Sequence, residues 1–146
     1  MKINQSAPVK AAYEIEVEAK PEVVWDILVA ARRWPDWNPD IRATDVQGDL
    51  MVGLNFSWKA GPGTIRSTVM EMQEPHRLLW TGRTTGIKAV HLWVLEKRGE
   101  RTLVSSEESW EGLLPGILRG VMKKMLSRSI QQGLIYLKKE AERSAL

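Results

Sequence analysis

The fold is decided by the stretch that runs from His91 to Val121 and reads HLWVLEKRGERTLVSSEESWEGLLPGILRGV. Up to Gly112 it consists of two runs rich in aromatic and β-branched residues, separated by the turn signal Arg98-Gly99, which is typical of an antiparallel hairpin. Beyond Gly112 the apolar residues recur at the spacing of a helix. The stretch therefore predicts a hairpin that leads directly into a helix.

The helix that follows Gly112 is predicted to be the longest element, at about 28 residues, with an apolar stripe along its length. The stripe is formed by Leu114, Leu118, Val121, Met125, Ile130, Leu134, Leu137 and Ala141. So long a stripe needs a large partner surface, and only a sheet built from the preceding strands provides one.

The chain upstream of the hairpin begins with one strand and one helix. Residues 12–19 alternate strictly between apolar and polar, as a half-buried strand does. Pro21 then stands at a first-turn position, and the helix that it starts ends before Trp34-Pro35. The rigid aromatic segment Trp34–Pro39 has room for one further helical turn.

Residues 41–110 are predicted to form strands joined by tight turns, which link antiparallel neighbours. The turn signals are Gln47-Gly48-Asp49, Gly61-Pro62-Gly63, Glu74-Pro75-His76, Thr85-Gly86 and Arg98-Gly99. The predicted fold class is α+β, with a curved antiparallel sheet of six to seven strands wrapped around the C-terminal helix and one or two short helices after the first strand. A length of 146 residues predicts a single domain, 1–146, with an ordered core of about 11–142.

Composition and spacing exclude several kinds of site. The chain has no cysteine, which rules out disulfides and thiolate metal ligands. No His, Asp and Glu residues stand at metal-binding spacings, and neither a phosphate-binding glycine loop nor a serine-hydrolase elbow is present. We therefore expect neither a metal nor a cofactor.

Charge and hydropathy predict the compartment and the partners. The first ten residues lack the apolar run of a secretory signal, and no stretch approaches the ~20 apolar residues of a membrane span. We expect a cytoplasmic protein without stable membrane anchoring. The net charge of +3 is modest and its excess lies on one predicted helix face, which indicates a solvated surface rather than nucleic-acid binding. The residues that carry this excess are Arg119, Lys123, Lys124, Arg128, Lys138 and Lys139.

Two groups of residues resemble a known family. The first combines Glu22-Val23-Val24-Trp25 with Trp34-Pro35-Asp36-Trp37-Asn38-Pro39. The second runs from His91-Leu92-Trp93-Val94-Leu95 through Thr102–Val104 to Glu108-Ser109-Trp110-Glu111-Gly112. Their order and spacing resemble the START-like (SRPBCC) superfamily, in particular its polyketide cyclase/dehydrase branch, over nearly the whole chain. The resemblance implies a helix-grip fold with a hydrophobic cavity between the sheet and the C-terminal helix.

Hairpin arithmetic predicts which side chains face the interior. If Arg98-Gly99 is a two-residue turn, His91 pairs with Ser106. If Thr85-Gly86 is a second one, Trp80 pairs with His91 on the same face. The face richest in tryptophan is predicted to be the interior, and it would carry Leu78, Trp80, Ala89, His91, Trp93, Leu95, Val104, Ser106, Glu108 and Trp110.

The link at Pro75-His76 leaves two registers open. A two-residue loop would place Val69 beside Trp80, whereas a three-residue loop would place Met70 and Met72 on that face. We favour the three-residue loop because paired methionines form an adaptable wall. The facing wall on the helix would be supplied by Met122 and Met125. The alternative is that all four methionines are ordinary core residues.

The predicted cavity contains one acid/base pair. Glu108 lies one diagonal step from His91, within reach of a long side chain. The pair has three interpretations: a core histidine that bridges two strands, a polar anchor for a ligand hydroxyl or carbonyl, or a general acid and base. Trp34 and Trp37 either gate the cavity or plug the gap between helix and sheet.

Three functions fit these expectations, one of which is a protein-interaction module that uses the Trp34–Trp37 segment; the other two involve a small molecule. The first is binding or transport of a small hydrophobic molecule, namely a lipid, a polyketide or an aromatic metabolite, in the internal cavity. The second is a cyclase/dehydratase-type reaction in which His91 and Glu108 move protons without a metal or cofactor. The predicted ligand-binding residues are Trp37, Met70, Trp80, His91, Trp93, Ser106, Glu108, Trp110, Leu118, Met122 and Met125.

Overall fold

Seven strands form a single antiparallel sheet in the computed structural model, which describes residues 1–146. The strands are β1 (Val9–Val17), β2 (Ile41–Asp45), β3 (Asn55–Ala60), β4 (Gly63–Gln73), β5 (Arg77–Thr84), β6 (Ile87–Arg98) and β7 (Arg101–Glu111). Their order in the sheet is β1-β7-β6-β5-β4-β3-β2. The first strand therefore pairs with the last one and brings the start of the chain beside the final hairpin.

Helices fill the connection after β1 and the end of the chain. The first helix, α1 (Pro21–Val29), begins at a proline and is followed by a 3₁₀ turn (Ala31–Arg33) and by α2 (Trp34–Trp37). After β7 come α3 (Leu113–Ile117) and the 26-residue α4 (Arg119–Ser144). The predicted α+β architecture is confirmed, with two short helices after the first strand and a long one at the end. No helix is both long and apolar enough to cross a bilayer.

The interior face of the sheet is the predicted one. Its buried residues are Leu78, Trp80, His91, Trp93, Leu95, Val104 and Ser106. Helix α4 runs along β1 and β7 over this face, and its buried side chains join the same hydrophobic core. Alternation with a period of two was sufficient to separate this face from the outer one.

The hairpin between β6 and β7 turns one residue later than predicted. The turn is Gly99-Glu100, with a positive φ of 64° at Gly99 alone, which is the preference of a type II′ turn for glycine at its first central position. His91 consequently pairs with Glu108, and Trp93 pairs with Ser106 rather than with Val104. Because the shift changes the partner by two residues, every side chain keeps its predicted face.

A β-bulge divides β4, so that each of the two predicted registers holds in one part of the strand. Gln73 pairs with Arg77 across a three-residue loop, and Met72 shares the inner face with Leu78, as expected. Between Val69 and Glu71 the register shifts, so Val69 rather than Met70 pairs with Trp80. Met70 is exposed, and the prediction that it lines the interior is wrong. A bulge inserts one extra residue and reverses the alternation beyond it.

The apolar stripe of the long helix is as predicted only in its second half. Its buried residues are Met122, Leu126, Ile130, Leu134, Leu137 and Ala141. Leu118, Val121 and Met125 are exposed instead. The prediction required a five-residue step from Met125 to Ile130, which rotates the position by about 140° around a helix. The chain also breaks at Leu118, between α3 and α4.

A second, smaller core lies on the outer face of the sheet. Leu79 and Leu92 are buried there beneath Ile3, which belongs to the segment before β1. The backbone N–H of Asn4 donates a hydrogen bond of 3.0 Å to Ser109 Oγ and fixes this segment to the sheet. The sheet is thus covered on both faces along its central strands.

Which side of α4 faces the core can be tested with single substitutions at two adjacent residues. Leu126→Ala is expected to lower the free energy of unfolding by roughly 2–5 kcal/mol, because a buried leucine leaves a cavity. Met125→Ala, at an exposed position, is expected to change it by less than about 1 kcal/mol. Urea denaturation followed by tryptophan fluorescence measures both, and similar losses for the two variants would contradict this helix phase.

Candidate functional site

The buried pair of His91 and Glu108 is the chemical centre of the interior. The two residues lie directly opposite each other on β6 and β7, with 3.1 Å between His91 Nδ1 and Glu108 Oε1. Their side chains are 11% and 15% exposed. The other ring nitrogen, Nε2, lies 2.7 Å from Ser106 Oγ, and Trp110 Nε1 donates a hydrogen bond of 2.7 Å to Glu108 Oε2. His91 Nε2 and Glu108 Oε2 are therefore hydrogen-bonded, and Nδ1 and Oε1 face each other at contact distance.

Burial shifts the pKa values of both groups toward the neutral forms. It lowers the pKa of His91 to about 3. It raises the pKa of Glu108 to about 7, against the opposing effect of the hydrogen bond from Trp110. A carboxylate ordinarily raises the pKa of an adjacent imidazole, but desolvation outweighs that attraction here. His91 is thus neutral at physiological pH, while Glu108 exchanges its proton near neutrality.

The tautomer of the neutral imidazole is coupled to the charge of Glu108. Nε2 donates to Ser106 Oγ when it carries the proton and accepts from it when it does not. Nδ1 faces Glu108 Oε1 at 3.1 Å, so an ionised Glu108 favours the tautomer with the proton on Nδ1, because a positive N–H then points at the carboxylate.

Aromatic rings surround the imidazole. The His91 ring stacks on Trp93 with a centroid distance of 5.0 Å and meets Trp80 edge-on at the same distance. Trp34 lies 5.3 Å from Trp80, and its indole N–H donates to the carbonyl of Leu28. We call these rings the aromatic cluster, which comprises Trp34, Phe56, Trp58, Trp80, His91 and Trp93. Of the two interpretations of Trp34, its buried position agrees with the plug.

A cavity of about 70 Å³ borders the pair on the side away from Trp93 and Ser106 along β6 and β7. It is lined by Trp58, Ile65, Ser67, Trp80, Gly82, Arg83, Thr84, Ile87, Ala89, His91, Glu108 and Trp110. A water molecule takes about 30 Å³ in the liquid, so this volume suits about two waters or one small polar group. It is well below the ~300–1,000 Å³ of pockets that enclose whole ligands.

Four of the predicted ligand-binding residues line this cavity, namely Trp80, His91, Glu108 and Trp110. The others do not line it; they are Trp37, Met70, Trp93, Ser106, Leu118, Met122 and Met125. Met70, Leu118 and Met125 are at the surface for the reasons given above. Ser106 contacts the far side of the imidazole, and Trp93 stacks on it. The indole N–H groups of Trp37 and Trp93 are buried without a hydrogen-bond partner.

The walls that sequence reasoning missed come from β3 and β4, from the end of β5 and from the start of β6. The turn between these strands is Gly61-Pro62, which pairs Trp58 with Ile65. Trp58 Nε1 donates a hydrogen bond of 3.0 Å to Ser67 Oγ and holds the indole at the cavity edge. The same hairpin arithmetic that was used for β6, applied to this glycine-proline turn, would have identified the pair.

Helix α3 covers the end of the sheet where the cavity lies. The backbone N–H of Leu114 donates a hydrogen bond of 3.2 Å to the carbonyl of Gly86, in the turn between β5 and β6. Any Cβ at Gly86 would lie 2.7 Å from Leu114 Cγ, so only glycine permits this approach. Gly112, with a φ of 119°, and the break at Leu118 bound the helix on its two sides. We call this part of the molecule the α3 end.

The structure contains no cluster of three or more His, Cys, Asp or Glu side chains that could hold a metal ion. The chemistry available at the site is therefore that of a buried carboxyl and a neutral imidazole, with indole N–H groups and one serine hydroxyl around them.

The fold and this interior define the chain as a START-like helix-grip protein: an antiparallel sheet closed by a long C-terminal helix, with aromatic walls and a polar pair between them. Residues 8–142 match the model of the family described as "Polyketide cyclase / dehydrase and lipid transport", and the chain belongs to this family. None of the curated proteins matches the sequence significantly.

Solved structures share the fold at low sequence identity. A hypothetical protein from Helicobacter pylori has a TM-score of 0.82 at 19% identity, over 95% of this chain and 91% of its own. A START superfamily protein from Mycobacterium smegmatis has a TM-score of 0.80 at 17% identity, over 92% and 97%. Norcoclaurine synthase from Thalictrum flavum, in complex with dopamine and hydroxybenzaldehyde, has a TM-score of 0.72 at 15% identity, over 92% and 86%.

The raised pKa of Glu108 predicts a pH-dependent stability. The folded protein binds this proton more tightly than the unfolded chain, so the stabilisation is lost as the pH rises from about 4.5 through about 7. Glu108→Gln imitates the protonated carboxyl. Near about pH 5 its free energy of unfolding is expected to equal that of the wild type. Near about pH 9 its free energy of unfolding is expected to exceed that of the wild type by roughly 3 kcal/mol.

Urea denaturation at the two pH values measures this difference. The matched control is Glu107→Gln, the same substitution on the outer face of the same strand. A Glu108→Gln difference that is the same at both pH values would contradict the proposed titration.

Proposed function

We propose that this chain binds a small, mostly apolar molecule that carries one polar group, with that group in the cavity beside Glu108 on the inner face of the sheet. The polar group is bound by Glu108, with His91 behind it. The observation that supports this most strongly is a nearly buried, titratable carboxyl that borders a cavity whose other walls are largely aromatic and aliphatic. The family, described by polyketide cyclase/dehydrase activity and lipid transport, supports a ligand of this kind.

The chemistry of the walls favours an unsaturated or aromatic ligand with a hydroxyl or carbonyl group. Trp58, Trp80 and Trp110 offer indole surfaces, on which flat rings pack well. Glu108 accepts a hydrogen bond from a hydroxyl when ionised and donates one to a carbonyl when protonated. A protein of the same fold, norcoclaurine synthase, has been solved with two small aromatic molecules, which supports this class of ligand.

The volume of the cavity limits what fits without movement. About 70 Å³ holds the polar end of a ligand, so the apolar body needs space that α3 now occupies. This helix has five residues, and its backbone is tied to the sheet by the hydrogen bond from Leu114 to Gly86. We therefore assign the entrance to the α3 end, with α3 displaced when a ligand is bound. The unpartnered indole N–H of Trp93 offers a second donor deeper inside.

Acid/base catalysis is the second candidate function. A general acid or base is most effective when its pKa lies near the working pH, and the pKa of Glu108 is raised to about 7. His91, with Ser106 behind it, is the polar group nearest to this carboxyl inside the molecule. A cyclase/dehydratase-type reaction, with proton removal beside a carbonyl, fits these groups without any further participant.

Filling the cavity tests the binding site. Ala89→Leu adds three carbons to a residue that lines the cavity, and it is expected to weaken ligand binding at least about tenfold by occlusion. Val90→Leu, on the outer face of the same strand, is the matched control and is expected to leave affinity unchanged. Tryptophan fluorescence, titrated with phenols, aromatic aldehydes and fatty acids, measures binding. A flat response to the whole panel, or equal affinity of Ala89→Leu, would contradict the proposal.

The protonation of Glu108 predicts how the affinity for a hydrogen-bond-accepting probe changes with pH. Affinity for an aromatic aldehyde should fall as the pH rises through about 7, because the carboxyl loses the proton that it donates. Glu108→Gln keeps a donor and should remove this dependence. For a probe that is turned over, binding without turnover in Glu108→Gln would support catalysis, and unchanged turnover would exclude Glu108 as the acid or base.

A further inference from the structure

The chain carries a concentration of exposed apolar side chains where the C-terminal helices begin. Leu113 is 70% exposed, Ile117 68%, Leu118 43%, Val121 60% and Met125 45%. All five lie within 13 residues of sequence. We call them the α3–α4 apolar face. A contiguous exposed apolar surface of this kind generally marks a site of interaction with a protein or a membrane.

On α4 these residues form a second apolar stripe beside the buried one. Leu118, Val121 and Met125 are three and four residues apart and therefore lie along one side of the helix. Met122 and Leu126, each one residue further on, face the core. The first turns of α4 are thus apolar on two adjacent sides, of which packing within the chain uses only one.

The charge within the segment that carries these residues is entirely positive. Residues 113–139 contain six Lys or Arg and no Asp or Glu. Lys124 and Arg128 are exposed and lie three residues after Val121 and Met125, respectively, on the same side of the helix. Neither forms an ion pair with a carboxylate. An apolar stripe flanked by unpaired cations is typical of helices that lie on membrane surfaces.

We propose that the α3–α4 apolar face binds reversibly to the surface of an anionic lipid bilayer. The apolar side chains enter the boundary between headgroups and acyl chains, and Lys124 and Arg128 lie at the level of the lipid phosphates. The inference goes beyond the proposed ligand binding and does not depend on it. The docked bilayer would face the α3 end, where the cavity lies.

Charge favours a bilayer over a second copy of the chain. A symmetric dimer would place the same surface of both copies together, so Lys124 and Arg128 would approach identical cations. The 113–139 segment has no acidic residue to offset that repulsion. An anionic bilayer provides both the negative charge and the apolar layer beneath it, in the order that the side chains require.

Vesicle flotation tests the proposal. The wild type is expected to float with vesicles of phosphatidylcholine mixed with phosphatidylglycerol, to bind those of phosphatidylcholine alone far more weakly, and to dissociate as salt rises. Val121→Ser/Met125→Ser should lower binding at least about tenfold because apolar area is removed. Lys124→Glu/Arg128→Glu should do so through charge, with the apolar side chains intact.

Matched controls use exposed residues outside the α3–α4 apolar face. Met51 and Val52, 64% and 61% exposed, lie before β3. Met51→Ser/Val52→Ser is expected to bind vesicles like the wild type. Lys97→Glu/Arg98→Glu, at the hairpin of β6 and β7, is the control for charge reversal. All substituted side chains are exposed, and circular dichroism checks that each variant is folded.

Four results would overturn the proposal. The first is that the folded wild type does not bind anionic vesicles, and the second is that it binds neutral vesicles equally well. The third is that both double variants of the face bind anionic vesicles as strongly as the wild type does. The fourth is a wild-type dimer that Val121→Ser/Met125→Ser converts to a monomer without affecting vesicle binding, which would assign the face to a second copy of the chain. Size-exclusion chromatography with light scattering gives the oligomeric state.

Discussion

The chemistry of the interior depends on the direct pairing of His91 with Glu108 across β6 and β7. Both side chains are nearly buried on the inner face of the sheet, where a charge on either is costly because water is largely excluded. Ser106 and Trp110 each hydrogen-bond one polar atom of the pair, which offsets part of that cost. Aromatic rings pack against the imidazole on two sides. The carboxyl, with its pKa raised to about 7, is consequently the group that can respond to a ligand or to pH under ordinary conditions.

The sheet and its interior face were predictable because alternation and glycine turns are local signals. The bulge near Met70 was not, since one extra residue reverses the alternation without changing the composition of the strand. The prediction that Met125 belongs to the buried stripe was wrong because the buried positions of α4 are spaced by three or four residues and lead back to Met122. The position of Glu108 near His91 was predicted, although it lies opposite rather than diagonal. The volume of the cavity depends on how large rings interlock, which no periodicity encodes.

The tryptophans are distributed between the closely packed part of the interior and the part that contains the cavity. Trp34 and Trp93 are buried in the main core and Trp80 is buried with one side at the cavity, whereas Trp58 and Trp110 are half-buried at the cavity. The remaining space therefore lies toward the α3 end, and the exposed apolar residues of α3 and α4 lie at the same end. The molecule is polarised, because the cavity, the five-residue helix α3 and the exposed apolar residues of α3 and α4 all lie at one end of the sheet.

The segment before β1 makes the outer surface of the sheet dependent on a few residues that belong to no strand or helix. Ile3 is the residue that covers Leu79 and Leu92, on two of the central strands. Proteolytic removal of this segment would leave the strand pairing and the main core intact. It would nevertheless uncover an aliphatic strip that Val90 and Val94 extend. The shortened molecule would remain folded but would self-associate through this exposed strip. Loss of the segment would therefore be detected as aggregation rather than as unfolding.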